Sequence, residues 1–223
     1  MADNQNDPLA ARDLLLETGE AVSCDLVPQG SNYTFLVCLQ GEDGEQIKAI
    51  YKPRKGEIPL WDFPGGTLHQ REYASYLLAE ALGWCFIPKT IIRDGPHGNG
   101  SVQLYVEHNP REHYFTMREE HHDALRRICL FDLLTNNADR KAGHCLLGKD
   151  GKIWSVDHGL TFHSIFKMRT VMVEFWGRPI PRPLVDDMVA LAGLIESKQG
   201  MANILWEMFT DREMAALLKR LEI

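Results

Sequence analysis

The sequence predicts an α+β fold built as two lobes, on three observations. An alternating apolar pattern runs from Ala21 to Tyr51, helical spacing takes over after about residue 108, and 223 residues suffice for one large domain or two small lobes. Pro8 to Thr18 reads as a short helix with Leu9, Leu14, Leu15 and Leu16 as its apolar contacts and Gly19 as its stop. Tyr33, Phe35, Val37 and Leu39 alternate with Thr34, Leu36 and Cys38, which is the period of a strand. Asp43-Gly44 marks a hairpin turn, and Ile47 to Lys52 forms a third strand ended by Pro53.

Residues 53–66 carry prolines, glycines and acidic breaks around Trp61, Asp62 and Phe63, and read as an ordered loop in which the aromatics plug the lobe. Thr67 to Gln70 has capping-box spacing and opens a helix through Leu82, stopped by Gly83. Ile87–Ile92 and Ser101–Val106 are expected as strands around a glycine-rich hairpin. Leu125, Ile128, Cys129, Asp132 and Leu133 recur at helical spacing, and Asn136 to Gly143 is a polar loop. Cys145–Leu147 and Ile153–Val156 flank the turn Lys149-Asp150-Gly151, and helices follow at roughly 183–197 and 210–221, the latter with the Thr210 and Glu213 capping pair. Trp84, Trp154, Trp176 and Trp206 read as packing residues. The expected division is a tail and short helix over 1–19, an N-terminal lobe over 20–108 and a C-terminal lobe over 109–223, together one functional domain.

With 24 Lys and Arg against 31 Asp and Glu the formal net charge is −7, which disfavours broad binding to nucleic acid or an anionic membrane face. Five dispersed cysteines without a CxxC pair read as reduced thiols, the polar N-terminus has no signal-peptide pattern, and no apolar run reaches membrane-spanning length. The expected location is cytoplasmic.

Phosphoryl transfer requires a cation on the nucleotide phosphates, carboxylates for metal, and a carboxylate to orient the attacking group. The chain offers them in a workable order. Lys52 ends the third strand, and Glu72 on the next helix is placed to pair with it. Asp139 and His144 stand five residues apart, the separation a kinase catalytic loop uses between its catalytic Asp and a metal-binding Asn. One hairpin later, Asp157-His158-Gly159 follows a strand, as a metal-binding Asp-Phe-Gly segment does. Each match alone has a bland counterpart in a solvated lysine, a turn or a capped strand; their joint order is what points to chemistry.

Asn137-Ala138-Asp139-Arg140 followed by Asp157-His158-Gly159 resembles the phosphatidylinositol 3-/4-kinase-like superfamily. Gly30-Ser31-Asn32-Tyr33, Tyr51-Lys52-Pro53-Arg54, Leu60 to Pro64 and Arg71-Glu72 are similar to a small bacterial family near those kinases, over roughly residues 20–182. The resemblance implies a two-lobed protein-kinase-like fold with ATP and Mg or Mn in a cleft between the lobes. It implies Ser31 and Asn32 in the phosphate-covering loop, Lys52 on phosphates, Gln103 and Tyr105 in the adenine-facing hinge, Asp139 as catalytic base and Asp157 as metal ligand. Arg140 or Lys141 would steady the phosphoryl oxygens, and His144 would assist the metal. The acceptor stays open among protein, small molecule and lipid headgroup.

Three departures bear on this reading. The phosphate-covering loop has the single glycine Gly30, His144 stands where the pattern has Asn and suits Mn or Zn better than Mg, and the segment after Gly159 is only mildly basic at Lys167 and Arg169. Two alternatives remain beside an active kinase. One is a nucleotide-binding pseudokinase scaffold; the other is a metal-dependent phosphohydrolase using His144, Asp157, His158 and His163. His121-His122-Asp123, reminiscent of a helical-bundle phosphohydrolase, reads as a solvated helix start.

Overall fold

A computed structural model describes residues 8–28 and 32–222. Helix α1 (Pro8–Thr18) starts on a proline, whose fixed φ and missing N–H cost nothing in a first turn. It ends where the Gly19 N–H donates to Leu15 O at 2.9 Å. A Cβ at Gly19 would lie 2.6 Å from that oxygen, so only glycine fits the stop.

Five strands follow in one antiparallel sheet: β1 (Glu20–Leu26), β2 (Phe35–Gln40), β3 (Gln46–Pro53), β4 (Thr90–Gly95) and β5 (Gly98–Leu104), in the order β1-β2-β3-β5-β4. The hairpin between β2 and β3 turns at Asp43-Gly44, with Gly44 at φ +86° and Asp43 Oδ1 accepting the Glu45 N–H at 3.0 Å. Along β2 and β3, Val37, Leu39, Ala49 and Tyr51 point into one core with Leu16 of α1 and Val102 of β5. The period of two therefore turns Lys52 to the opposite face.

The β4 and β5 strands reach further into the glycine-rich stretch than expected, and the turn is Pro96-His97. The physical reason is close packing. A Cβ on Gly100 would meet Lys52 O at 2.4 Å, and the Tyr51 ring lies against both Gly95 and Gly100. These glycines belong to the strands because a neighbouring backbone and an aromatic face occupy the space of their side chains.

Helix α2 (Leu68–Ala81) starts one residue after Thr67, and Gly83 at φ +67° follows its end. The chain divides into two compact units, Met1–Tyr73 with Pro88–Tyr105, and Ala74–Ile87 with Val106–Ile223. Residues 74–87, read from sequence as part of the N-terminal lobe, belong to the second unit, where Ala74, Leu78, Trp84, Phe86 and Ile87 are core residues.

The second unit adds α3 (Tyr114–Met117), α4 (His122–Thr135), the hairpin β6 (Cys145–Leu147) and β7 (Ile153–Ser155), then α5 (Arg182–Ser197), α6 (Met201–Met208) and α7 (Asp211–Leu221). The capping pair at α7 forms, with the Thr210 hydroxyl oxygen accepting the Glu213 N–H and Glu213 Oε2 accepting the Thr210 N–H. Leu125, Ile128, Phe131 and Leu134 of α4 meet Leu191 of α5, Leu205 of α6 and Leu217 of α7 in its core. Cys129 and Cys145 are buried there, and burial pushes both thiols up to about 12. Trp84 and Trp206 pack inward as expected, but Trp176 is 57% exposed. All five cysteines are free, and among the described residues no helix is long and apolar enough to cross a membrane.

Candidate active site

In the first unit the site is built on β3, β5 and the start of α2. Lys52 lies opposite Ser101 of β5, and Ile50 lies opposite Gln103, so Lys52, Ser101 and Gln103 share the sheet face turned away from the core. Lys52 Nζ donates to Glu72 Oε1, and the glutamate side chain is almost fully buried while the lysine retains partial exposure. Arg71, beside Glu72, is buried; its Nε donates to Thr67 Oγ1 at 3.2 Å and its guanidinium covers the Phe63 ring at 5.2 Å. Phe63 is thus the plug expected of the loop, while Trp61 is 93% exposed.

The same loop is fixed by Glu57. Its Oε1 accepts from the His69 backbone N–H at 3.0 Å and faces His69 Nδ1 at 2.8 Å. Burial alone would raise this carboxyl, but the hydrogen bonds from His69 and from the Leu68 N–H outweigh it and hold Glu57 below the ordinary carboxylate range. Asn32 Oδ1 accepts the Ile58 N–H at 2.7 Å, so its side chain serves the loop. Ser31 lies outside the described residues. Gln103 Nε2 donates to Thr90 Oγ1 at 2.8 Å inside the sheet, and the Tyr105 N–H donates to Lys48 O at 3.0 Å.

In the second unit everything turns on the end of α4. Asp132 is fully buried and accepts from Arg140 Nε at 2.7 Å and Nη2 at 2.8 Å, a two-pronged pair with no solvent exposure on either side chain. Arg140 Nη1 also donates to Val156 O at 2.9 Å, and its Nη2 meets His158 Nε2 at 2.9 Å. Since a guanidinium only donates, His158 Nε2 accepts, and the buried His158 ring serves as a strut under the loop. Burial would lower the Arg140 pKa, but the charge and hydrogen bonds of Asp132 raise it above its ordinary value.

Arg140 is therefore a correction to the sequence reading. Its donors are spent inside the protein and do not present a cation to a phosphoryl group; the neighbouring Lys141, exposed and paired with Asp139, is the cation at this loop that meets solvent.

Two asparagines shape the loop. Asn136 ends α4 at φ +55°, a left-handed conformation that asparagine tolerates. Its Nδ2 donates to His163 O and Ile165 O, both at 2.8 Å, and its Oδ1 accepts the Lys167 N–H at 2.7 Å. Asn137 Nδ2 donates to Asp132 Oδ1 at 2.9 Å, while its Oδ1 accepts the Asp139 N–H at 3.0 Å and so aims the aspartate. Asp139 itself is flanked by cations, with Lys141 Nζ at 2.7 Å from Oδ2 and Arg169 Nη2 at 2.8 Å from Oδ1. Asp157 has φ +64°, and its Oδ2 lies 3.1 Å from His144 Nε2. A non-glycine residue held in that region persists only when its surroundings impose it.

His144 and Asp157, five and eighteen residues after Asp139, are thus brought together as two adjacent donors. The set proposed for a hydrolytic metal centre is not. His158 faces Arg140 and Ser155, His163 Nδ1 accepts the Ile165 N–H at 3.0 Å, and among the described residues no three His, Cys, Asp or Glu side chains converge as a metal cage. Asp132, Asn136 and Asn137 escaped the sequence reading as site residues. The signal for Asp132 was a carboxylate at an apolar-stripe position of a helix, where it needs a buried partner.

The family model for the phosphatidylinositol 3- and 4-kinases matches residues 71–216. The chain belongs to the phosphatidylinositol 3- and 4-kinase family. A Mycobacterium tuberculosis protein, Protein Rv2133c, is 38% identical over 244 aligned residues, covering 92% of this chain and 86% of that one. Among solved structures, the Golgi casein kinase superposes with a TM-score of 0.59 at 16% identity over 97% of this chain and 73% of that one. The same kinase with Mn/ADP bound gives 0.56 at 16% identity, over 97% and 74%. At that identity the likeness shows the fold, which is kinase-like. Of the segments that carried the resemblance from sequence, Arg71-Glu72, Asn137 to Arg140 and Asp157 to Gly159 lie in the matched range, while Gly30 to Tyr33, Tyr51 to Arg54 and Leu60 to Pro64 precede it.

Proposed function

We propose that the protein is an ATP-dependent phosphotransferase acting on an alcohol acceptor. The observation that supports this most is the Lys52–Glu72 ion pair in a chain of this family, because a lysine held by a buried glutamate is what grips nucleotide phosphates in a kinase. Lys52 orients the phosphates of the nucleotide. Asp139, aimed by Asn137, receives or orients the proton of the acceptor hydroxyl, and Lys141 steadies the phosphoryl oxygens.

Asp157 and His144 are the residues that would hold a divalent cation. One carboxylate and one imidazole side by side fit an ion that completes its shell with water and phosphate oxygens, and the imidazole favours Mn. Bound there, the cation supplies charge neutralisation on the transferring group. The superposed kinase that holds Mn/ADP is in keeping with that choice.

Calorimetric titration with ATP, with and without Mg or Mn, tests the reading. Binding that needs the metal and is lost in Lys52→Ala and Asp157→Ala is the expected result; no binding under any metal overturns it. Asp139→Asn is expected to bind ATP normally and to transfer nothing, and full transfer in that variant would remove Asp139 from its role. A nucleotide-binding protein without transfer is the second reading, favoured by the two cations that hold both oxygens of Asp139. It predicts normal metal-dependent binding with no turnover in the unaltered protein.

A further inference from the structure

A cavity of about 340 Å³ opens in the second unit between α4, the segment leading to α5, and the start of α5. Cys129, Leu130 and Leu133 of α4 form one wall; Met168, Phe175 and Ile180 face them. None of its lining residues is acidic, in a chain with 31 Asp and Glu, and its only charged lining residues are Arg126 and Arg178. Its mouth is aromatic, with Phe166 61% and Trp176 57% exposed. From these features we infer that this is a binding site for a small amphipathic anion, a medium-chain carboxylate in its simplest form.

The charge of the site carries the inference past an apolar groove. Arg126 lies one turn before Leu130 on α4, so its side chain and the apolar wall share a helix face. Its Nη2 donates to Asp123 Oδ1 at 3.0 Å, and that aspartate is 83% exposed, which makes the pair a weak surface one. Its Nε is buried and makes no hydrogen bond among the described residues. A buried N–H without an acceptor is destabilising, and a carboxylate entering the cavity would supply the acceptor. Arg178 brings a second guanidinium that makes no ion pair among the described residues, and guanidinium geometry suits a carboxylate held by two N–H groups.

Size sets the rest. Small-molecule sites run from about 300 to 1,000 Å³, and this one stands at the lower end, enough for one short chain or one ring system and too small for a two-chain lipid. An acyl chain on the leucine, methionine and phenylalanine wall with its head between the arginines satisfies both the apolar floor and the orphaned donor. Lys52, Asp139 and Asp157 are not among its lining residues, and the inference does not depend on phosphoryl transfer.

The test is calorimetric titration of the full chain with decanoate and, separately, decanol. Decanoate is expected to bind, decanol at least tenfold more weakly. Arg126→Ala and Arg178→Ala should each weaken decanoate about tenfold while leaving decanol unchanged. Leu133→Trp, a substitution at a partly exposed lining position, should fill the cavity and abolish both. Circular dichroism checks that each variant is folded, and the two arginine variants decide the matter if the tryptophan variant is not. No heat with either ligand, equal affinity for decanol and decanoate, or decanoate affinity unchanged in both arginine variants would overturn the assignment.

Discussion

At the scale of single residues, Arg140 and Asp132 depend on one another. Each is without solvent contact, and Arg140 also holds Val156 O and His158 Nε2, so removing Asp132 leaves a buried cation with no counter-charge. Breaking a buried pair by deleting one partner costs about 3–5 kcal/mol, and Asp132→Asn is expected to fall in that range in urea unfolding of the full chain. Asn136→Gly separates conformation from bonding at the next turn. Glycine tolerates φ +55° as well as asparagine does, yet it loses the hydrogen bonds to His163 O, Ile165 O and the Lys167 N–H. Hydrogen exchange should rise at the Lys167 amide and leave the α4 amides unchanged. The pairing of Lys52 with Glu72 and the meeting of His144 with Asp157 were legible because order and spacing are carried by the chain itself, while the roles of these residues and of Asp139 belong to the proposed function. Asp132 and Asn137 were not legible, since their roles exist only once α4 has folded against the loop, and Arg140 was misassigned because adjacency to Asp139 says nothing about which way a side chain turns.

At the scale of elements, Glu57 joins the loop after β3 to the first turn of α2. Its carboxylate accepts from His69 Nδ1 and two backbone N–H groups at a helix start, where negative charge is favoured. The folded-state pKa is lowered, so ionised Glu57 stabilises the fold. That contribution is complete above the ordinary carboxylate range and disappears as the pH falls through the lowered value. Glu57→Gln should cost about 1–3 kcal/mol near neutral pH and little once the wild-type carboxylate is protonated, read from thermal melts of both proteins across that range. Stop and capping residues marked α1, α2 and α7, and the recurrence of apolar residues marked α4. Neither α6 nor α3 was expected, because eight and four residues are too few for an apolar stripe to recur.

At the scale of the whole molecule, net charge −7 means that under the proposed function affinity for ATP would come from a few placed groups rather than from a general positive field. Ligand binding to the folded state alone adds about 2.7 kcal/mol of stability at one hundred times the dissociation constant. ATP with Mn is therefore expected to raise the unfolding temperature of the full chain, and ATP without metal to raise it much less. Lys52→Ala and Asp157→Ala should flatten both responses in differential scanning fluorimetry.

The thiol sealed inside the second unit has a practical use. Cys145 is out of solvent and burial pushes its thiol up to about 12, so an alkylating reagent has next to no thiolate to attack while the unit stays closed. Cys85, by contrast, lies on the surface and labels without any opening. Timed iodoacetamide pulses followed by peptide mass spectrometry would then read the opening rate of that unit directly, with Cys85 as the internal control and no engineered reporter. The protein carries its own stopwatch for coming apart.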